Sequence, residues 1–371
     1  MNIIENAKMK KYIAILLKIF GVMLFVALLA GCNFCPNNPD NSNYQDELLI
    51  SYNSQSGKSI LVLSNINNFS FQEIISDISV HSSLADNGDF CYIQKNYKNY
   101  SSALFMGNVF SKTQKLLEIE NQIFSIINPV ISPKSNAIAF SGGKGQLYIW
   151  ISNPTTKATY IDKITNNFLE KSIPVFTNNG KYLCFLEQSQ NELKLSVVDI
   201  QKPDEVIQEH VFHGQAQIFG QDTRLSITDM NKVFFIANDE NNFFLNLIDI
   251  NANKATKYAL PKNALQITTG EISRDGKTAL LISNDGVIWA TKFDGTKLKT
   301  YQLTSFDECY RYIDIRWKKD DKMFIAFRIN CQNAMTNSKK LYLFKIENNN
   351  DDIKVTNKTY YSSNVVDAYW R

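Results

Sequence analysis

Histidine is scarce: His81, His210 and His213 are the only three in 371 residues. A site that moves protons through imidazole, or holds zinc through several histidines, has little to draw on. His210 and His213 form the one local pair, in a strand-like stretch where residues three apart face opposite ways and do not chelate. There is no G-x-S-x-G nucleophile elbow, no Walker loop and no H-E-x-x-H, so the common hydrolase, nucleotide-binding and metalloprotease signatures are missing. Glycine (15) and proline (8) are too few for a fibrous or low-complexity chain. No long stretch beyond residue 31 has helical periodicity, which points away from helical folds. An excess of one charge is lacking too. Residues 1–31 carry Lys8, Lys10, Lys11 and Lys18 against Glu5, leaving 35 basic and 35 acidic residues in the remainder. Such a balance gives no global pull towards nucleic acid, which is not expected as a partner.

The chain does have an apolar leader. Met9-Lys10-Lys11-Tyr12 reads as the start of a secretory signal, with the first eight residues an extension ahead of it. The apolar run from Ile19 to Ala30 has the length of a signal core and is shorter than the roughly 20 residues that span a bilayer. Leu29-Ala30-Gly31-Cys32 then resembles the bacterial lipoprotein box. The resemblance implies cleavage after Gly31 and a diacylglycerol on the thiol of Cys32. Cys32 and Cys35 also make a C-x-x-C, but an acylated Cys32 is a thioether and neither cycles through a disulfide nor binds zinc. The following polar, proline-containing segment reads as a tether. The expected division is a signal peptide over 1–31, lipidated cysteine and tether over 32–46, and a folded domain over 47–371. Asn33 stands where Asp would favour the inner membrane, so in a cell with two membranes the outer one is expected.

The folded part repeats. Turn-like stretches recur at "LADNGDFCYI" from 84, "SPKSNAIAFS" from 132, "TNNGKYLCFL" from 177, "TDMNKVFFIA" from 228, "SRDGKTALLI" from 273 and "KKDDKMFIAF" from 318. Their spacing of roughly 45 to 51 residues is that of four-stranded propeller blades. Each turn is followed by an apolar strand, and about ten residues later by a second one such as "LKLSVVDI" from 193 or "FFLNLIDI" from 243. The last strand, "VVDAYWR" from 365, aligns with "YIDIRWK" from 312, the first strand of the preceding repeat. Three strands near the start, "LLISYN", "SILVLS" and "FSFQEII", have no first strand of their own. Pairing the last strand with these three completes a seventh blade. The prediction is an all-β, seven-bladed β-propeller closed between its two ends.

Ser132-Pro133-Lys134, Ser273-Arg274-Asp275-Gly276-Lys277, Ile138-Ala139-Phe140 and Ile325-Ala326-Phe327 resemble the TolB-like, WD-repeat-like propeller motif. The turns at Asp86 and Met230 depart from it. The resemblance implies a central channel and two rims for partners, without implying a reaction.

Candidate contacts follow from position. Asp314 and Asp367 are equivalent residues of adjacent first strands, where a propeller lines its channel; they face a cation or basic peptide, or they accept backbone hydrogen bonds. Tyr310 and Arg311 are candidates for a rim contact. Cys91 and Cys184 occupy the small-residue place held elsewhere by Ala139 and Ala326 and read as buried thiols. Cys309 and Cys331 fall opposite each other across the hairpin near Asp320 and are a candidate disulfide. No catalytic set, metal site or cofactor other than the lipid on Cys32 is expected. The functional expectation is a lipid-anchored extracytoplasmic propeller that binds envelope proteins or scaffolds them, with a small-ligand or hydrolytic site in the channel mouth as the alternative.

Overall fold

Six turns of one shape set the frame. In the computed structural model, the turns beginning at Ala85, Ser132, Thr177, Thr228, Ser273 and Lys318 are each closed by a hydrogen bond from the N–H three residues on, at 2.7–3.1 Å. The closing residue is left-handed in every case: Gly88, Ser135, Gly180, Asn231, Gly276 and Asp321 have φ between 55° and 84°. Glycine adopts that conformation freely and Asn or Asp adopt it at low cost, which is why those residue types recur at the tips. The turns at Asp86 and Met230 depart from the motif in sequence but have the same backbone form.

The structure describes residues 47–53, 59–78, 82–96, 101–117, 119, 126–142, 146–152, 159–165, 169–189, 192–213, 225–239, 242–260, 266–295, 297–332, 339–348 and 352–370. Every regular element among them is a strand, and none is a helix long and apolar enough to cross a membrane. The leader, the lipoprotein box and Cys32 lie outside the described residues.

Blade one is β4 (Ser82–Leu84), β5 (Asp89–Asn96), β6 (Ser101–Asn108) and β7 (Gln114–Leu116). Blade two is β8 (Ile127–Ile131), β9 (Ala137–Ser141), β10 (Leu147–Ser152) and β11 (Thr159–Lys163). In blade three the inner strand is split into β12 (Glu170–Lys171) and β13 (Val175–Phe176), beside β14 (Tyr182–Gln188), β15 (Glu192–Asp199) and β16 (Lys202–His213). Blade four is β17 (Ser226–Ile227), β18 (Lys232–Asp239), β19 (Asn242–Asp249) and β20 (Lys254–Ala259); blade five is β21 (Ile267–Ile272), β22 (Thr278–Ser283), β23 (Ile288–Asp294) and β24 (Lys297–Gln302).

The remaining strands form one seven-stranded sheet: β25 (Tyr310–Trp317), β26 (Met323–Asn330), β27 (Lys339–Asn348), β28 (Ile353–Trp370), β1 (Glu47–Asn53), β2 (Ser59–Asn65) and β3 (Ser70–Ile78). The 18-residue β28 serves two blades. Its first part pairs with β27 to complete blade six, and its end pairs with β1, from Tyr52↔Val365 to Leu48↔Trp370, to complete blade seven. The expected seven blades and their closure between the two ends of the chain are therefore present.

Strand alternation places the core between blades rather than within them. Seven clusters of buried apolar residues fill the seven junctions. In β26, Phe324 and Ala326 face blade five, while Met323, Ile325 and Phe327 face blade seven. Cys91 and Cys184 are fully buried in such junctions, as expected. One junction depends on a glycine: a Cβ on Gly286 (φ +77°) would lie 2.2 Å from Cβ and 2.7 Å from Cα of Arg311. The bare backbone lets the blade-five turn reach β25, where Tyr312 N–H donates to Gly286 O at 3.2 Å.

Neighbouring turns are bonded to each other along one rim. The Asp321 carboxylate accepts the N–H groups of Arg274 and Asp275 at 2.8 and 3.1 Å, and Asp229 N–H donates to Arg274 O at 2.8 Å. Blade seven has no such turn, because β28 and β1 are not consecutive in the chain. Lys319 of blade six bridges the gap to Asp86 of blade one, Nζ to Oδ1 at 2.5 Å.

Candidate functional site

The inner strands of the seven blades end in register at Leu84, Ile131, Phe176, Ile227, Ile272, Trp317 and Trp370. The residues one position earlier are Ser83, Val130, Val175, Ser226, Glu271, Arg316 and Tyr369, and all seven line a central cavity of about 210 Å³. Two positions further back lies a second set that includes Asn128, Thr269, Asp314 and Asp367. The i, i+2 spacing points both sets to one side of each strand.

The wall is two-sided in character. Blades two to four supply an apolar arc of Pro129, Val130, Ile173, Pro174, Val175 and Leu225. Blades five to seven supply Thr269, Glu271, Asp314, Arg316 and Tyr369, and Ser83 of blade one continues the polar arc.

Arg316 organises the polar side. It is buried, and its guanidinium grips Asp314 through both forks, Nη1 to Oδ1 and Nη2 to Oδ2, the latter at 2.5 Å. Nη1 also donates to Ile315 O at 2.6 Å, and Nη2 stands 3.8 Å from Asp367 Oδ1 across the blade junction. Asp367 accepts Tyr369 Oη at 2.7 Å and Ala368 N–H at 2.9 Å, and Asp314 accepts Ile315 N–H at 2.9 Å. Glu271 binds blade six twice: its carboxylate accepts Trp317 N–H at 2.7 Å, and its carbonyl accepts the Trp317 indole at 3.1 Å. A bidentate guanidinium–carboxylate pair is stronger and more directional than a single contact. These bonds stitch blades five, six and seven together at the channel. Asn128, on the apolar side, is in the left-handed region (φ 51°), and its buried Oδ1 has no hydrogen-bond partner.

Of the residues expected to make contacts, Asp314 and Asp367 occupy equivalent positions in adjacent inner strands, and both accept backbone N–H groups. Sequence reasoning missed Arg316 between them, although its i+2 spacing from Asp314 was a readable signal. Tyr310 and Arg311 do not line the cavity. Arg311 is exposed, with its Cβ packed under the Gly286 turn, and Tyr310 packs against Arg328 and Lys340. Cys309 and Cys331 are exposed free thiols on facing strand ends, where Cys331 N–H donates to Cys309 O at 2.8 Å. Among the described residues no group of three His, Cys, Asp or Glu could hold a metal ion.

A chain with this ring of blades and this channel belongs to the class of β-propellers. No family model matches its sequence, and no curated protein does. Solved structures match its fold. A protein from Lactobacillus plantarum is similar with a TM-score of 0.59 at 9% identity, covering 87% of this chain and 98% of that one. The β-propeller domain of the Trilobed protease from Pyrococcus furiosus gives 0.56 at 9% identity, covering 86% and 92%. The Swd1 β-propeller domain of Myceliophteria thermophila gives 0.55 at 11% identity, covering 78% and 91%. The Pyrococcus propeller is described as having an open velcro topology, whereas here β28 pairs with β1 and closes the ring.

Proposed function

We propose that the protein is a lipid-anchored, extracytoplasmic β-propeller of the TolB-like kind that binds envelope proteins or scaffolds them. One observation carries the reading: Glu271, Asp314, Arg316 and Asp367, the charged groups of the described channel wall, are bonded to one another or to backbone across blades five to seven. Groups used in this way hold the ring together, and what the fold offers outward is its rims and blade faces. The Leu29–Cys32 box supplies the anchor in this reading. Chemical crosslinking in intact envelopes followed by pull-down tests it: recovery of a discrete protein partner is expected, and recovery of none overturns it. Palmitate labelling tests the anchor separately, since label that persists in Cys32→Ala rules out lipidation at that residue.

A second reading, a small amphiphile held in the channel, is favoured by the cavity with its apolar arc and by the unpartnered Asn128 Oδ1. Native mass spectrometry would show a bound mass that Val175→Trp, which fills the apolar side, removes.

A further inference from the structure

Blade six carries a concentration of cations and tyrosines on the face turned towards blade five. Strand register builds it: Tyr312 pairs with Arg328, Arg328 with Lys340, Tyr342 with Tyr360 and Phe344 with Lys358. The Arg328 guanidinium lies 4.8, 5.3 and 5.9 Å from the ring centres of Tyr310, Tyr312 and Tyr342. Lys340 Nζ is 4.9 Å from the Tyr310 ring, and Lys358 Nζ is 4.9 Å from Tyr342 and 5.4 Å from Tyr312. Aromatic faces attract cations and so allow like charges to gather.

The face has more donors than acceptors. Asp307 pairs with Arg328, but no described carboxylate lies within ion-pair distance of Lys340 or Lys358. Tyr312 Oη and Arg328 Nε are buried donors without a hydrogen-bond partner. Lys358 is held below the ordinary lysine pKa, first by burial and then by the charge of Arg328. Among the described residues, no carboxylate other than Asp307 pairs with the cations of this face.

Resting on the protein-binding reading above, we propose that this face of blade six is the docking surface for an acidic segment of a partner protein, with its carboxylates taken by Lys340 and Lys358 beside Arg328. The cations lie on three neighbouring strands, about 4.8 Å apart in a sheet, with rings between them. That spread matches carboxylates distributed along a peptide better than one compact headgroup. Tyr342 is half-buried and Tyr360 is 51% exposed, and they give the peptide's aliphatic carbons a surface to cover. Arg with Tyr is the composition that dominates binding energy at protein interfaces. The balanced charge outside the leader gives no general attraction for polyanions that would compete.

Fluorescence anisotropy with the full chain tests the assignment, using a labelled peptide of alternating glutamate and alanine and a lysine–alanine peptide of equal length. The glutamate peptide is expected to bind more tightly at low salt, and the lysine peptide not to bind. Lys340→Gln with Lys358→Gln should weaken binding about tenfold, while Lys254→Gln with Lys297→Gln, on outer strands of blades four and five, should leave it unchanged. Equal binding by the double variant overturns the proposal. So does failure of the peptide to bind while phosphatidylglycerol vesicles bind in a way that needs the same two lysines, which would make the occupant a lipid surface. Envelope crosslinking that recovers a partner with the Lys340→Gln, Lys358→Gln protein overturns this docking site and leaves the protein-binding reading intact.

Discussion

The indole N–H of Trp370 donates to the carbonyl oxygen of Arg316 at 3.2 Å, and Trp317, one blade earlier, donates to Glu271 O at 3.1 Å. The two tryptophans are equivalent residues. Each ties its inner strand to the blade before it, and Trp370 does so from the strand that pairs with β1 to close the ring.

Trp370→Ala removes this bond and most of a buried ring, and the expected loss is about 3–5 kcal/mol. Trp370→Phe keeps apolar bulk but removes the indole bond to Arg316 O, at about 0.5–1.5 kcal/mol. Urea unfolding read by circular dichroism separates the two. A Trp370→Phe protein as stable as the parent would mean that the indole bond contributes nothing.

Replacing Arg316 by Met should cost about 3–5 kcal/mol, because Asp314 and Asp367 remain in the wall without their guanidinium. Adding Asp314→Asn to Arg316→Met should recover part of the loss. Equilibrium unfolding of the two proteins measures it, and a cost below about 1 kcal/mol for Arg316→Met, the level of an exposed pair, would remove the wall-building role assigned to the residue.

Gly286 and Gly295 offer a matched comparison. Both have positive φ, 77° and 61°, but a Cβ at Gly295 meets nothing within 4 Å. Gly295→Ala should cost about 1 kcal/mol, the conformational penalty alone. Gly286→Ala adds a collision with Arg311 backbone and should cost about 1–3 kcal/mol more. Melting temperatures report the difference, and equal shifts would show that the approach of the turn to β25 is not tight.

Burial pushes the thiols of Cys91 and Cys184 well above the usual range, whereas Cys309 and Cys331 are exposed. Alkylation of the native protein at pH 8, followed by peptide mass spectrometry, should label Cys309 and Cys331 and spare the other two until denaturant is added. Prompt labelling of Cys184 would contradict the packing of the junction between blades three and four.

Burial raises the phenols of Tyr52 and Tyr92 from 10.0 to about 12. The fold favours their neutral form, so their contribution is intact below pH 10 and falls as pH rises from 10 to 12. Tyr92→Phe should flatten the decline in unfolding free energy over that interval. An unchanged slope would mean that the phenol ionises without opening the junction between blades seven and one.

The repeat, the strand order and the closing seam were legible because they depend on local turn chemistry and on one alignment, that of "VVDAYWR" with "YIDIRWK". The Asp86 and Met230 turns look irregular because their motifs differ as a whole; the deciding residues are the left-handed Gly88 and Asn231. The Arg316 clamp was harder, since its reach to Asp367 is a distance between strands 51 residues apart in the chain. Arg311 looked like an open contact residue because nothing local shows that Gly286 lies against it. Of the cation–tyrosine face only Tyr310 was legible: its members come from four strands, and the register across β25 to β28 brings them onto one side.

The long β28 has a mechanical consequence. Blades one to five are each continuous in sequence, so force applied to one of them loads its own hairpins first. Blade seven is assembled from both ends of the chain through the ladder between β28 and β1, and a pull along the chain ahead of Glu47 arrives there before it reaches any other blade. Trp370 and Leu48 stand at the end of that ladder nearest the pull, so the strand that completes the ring is also the latch that must yield for the ring to open.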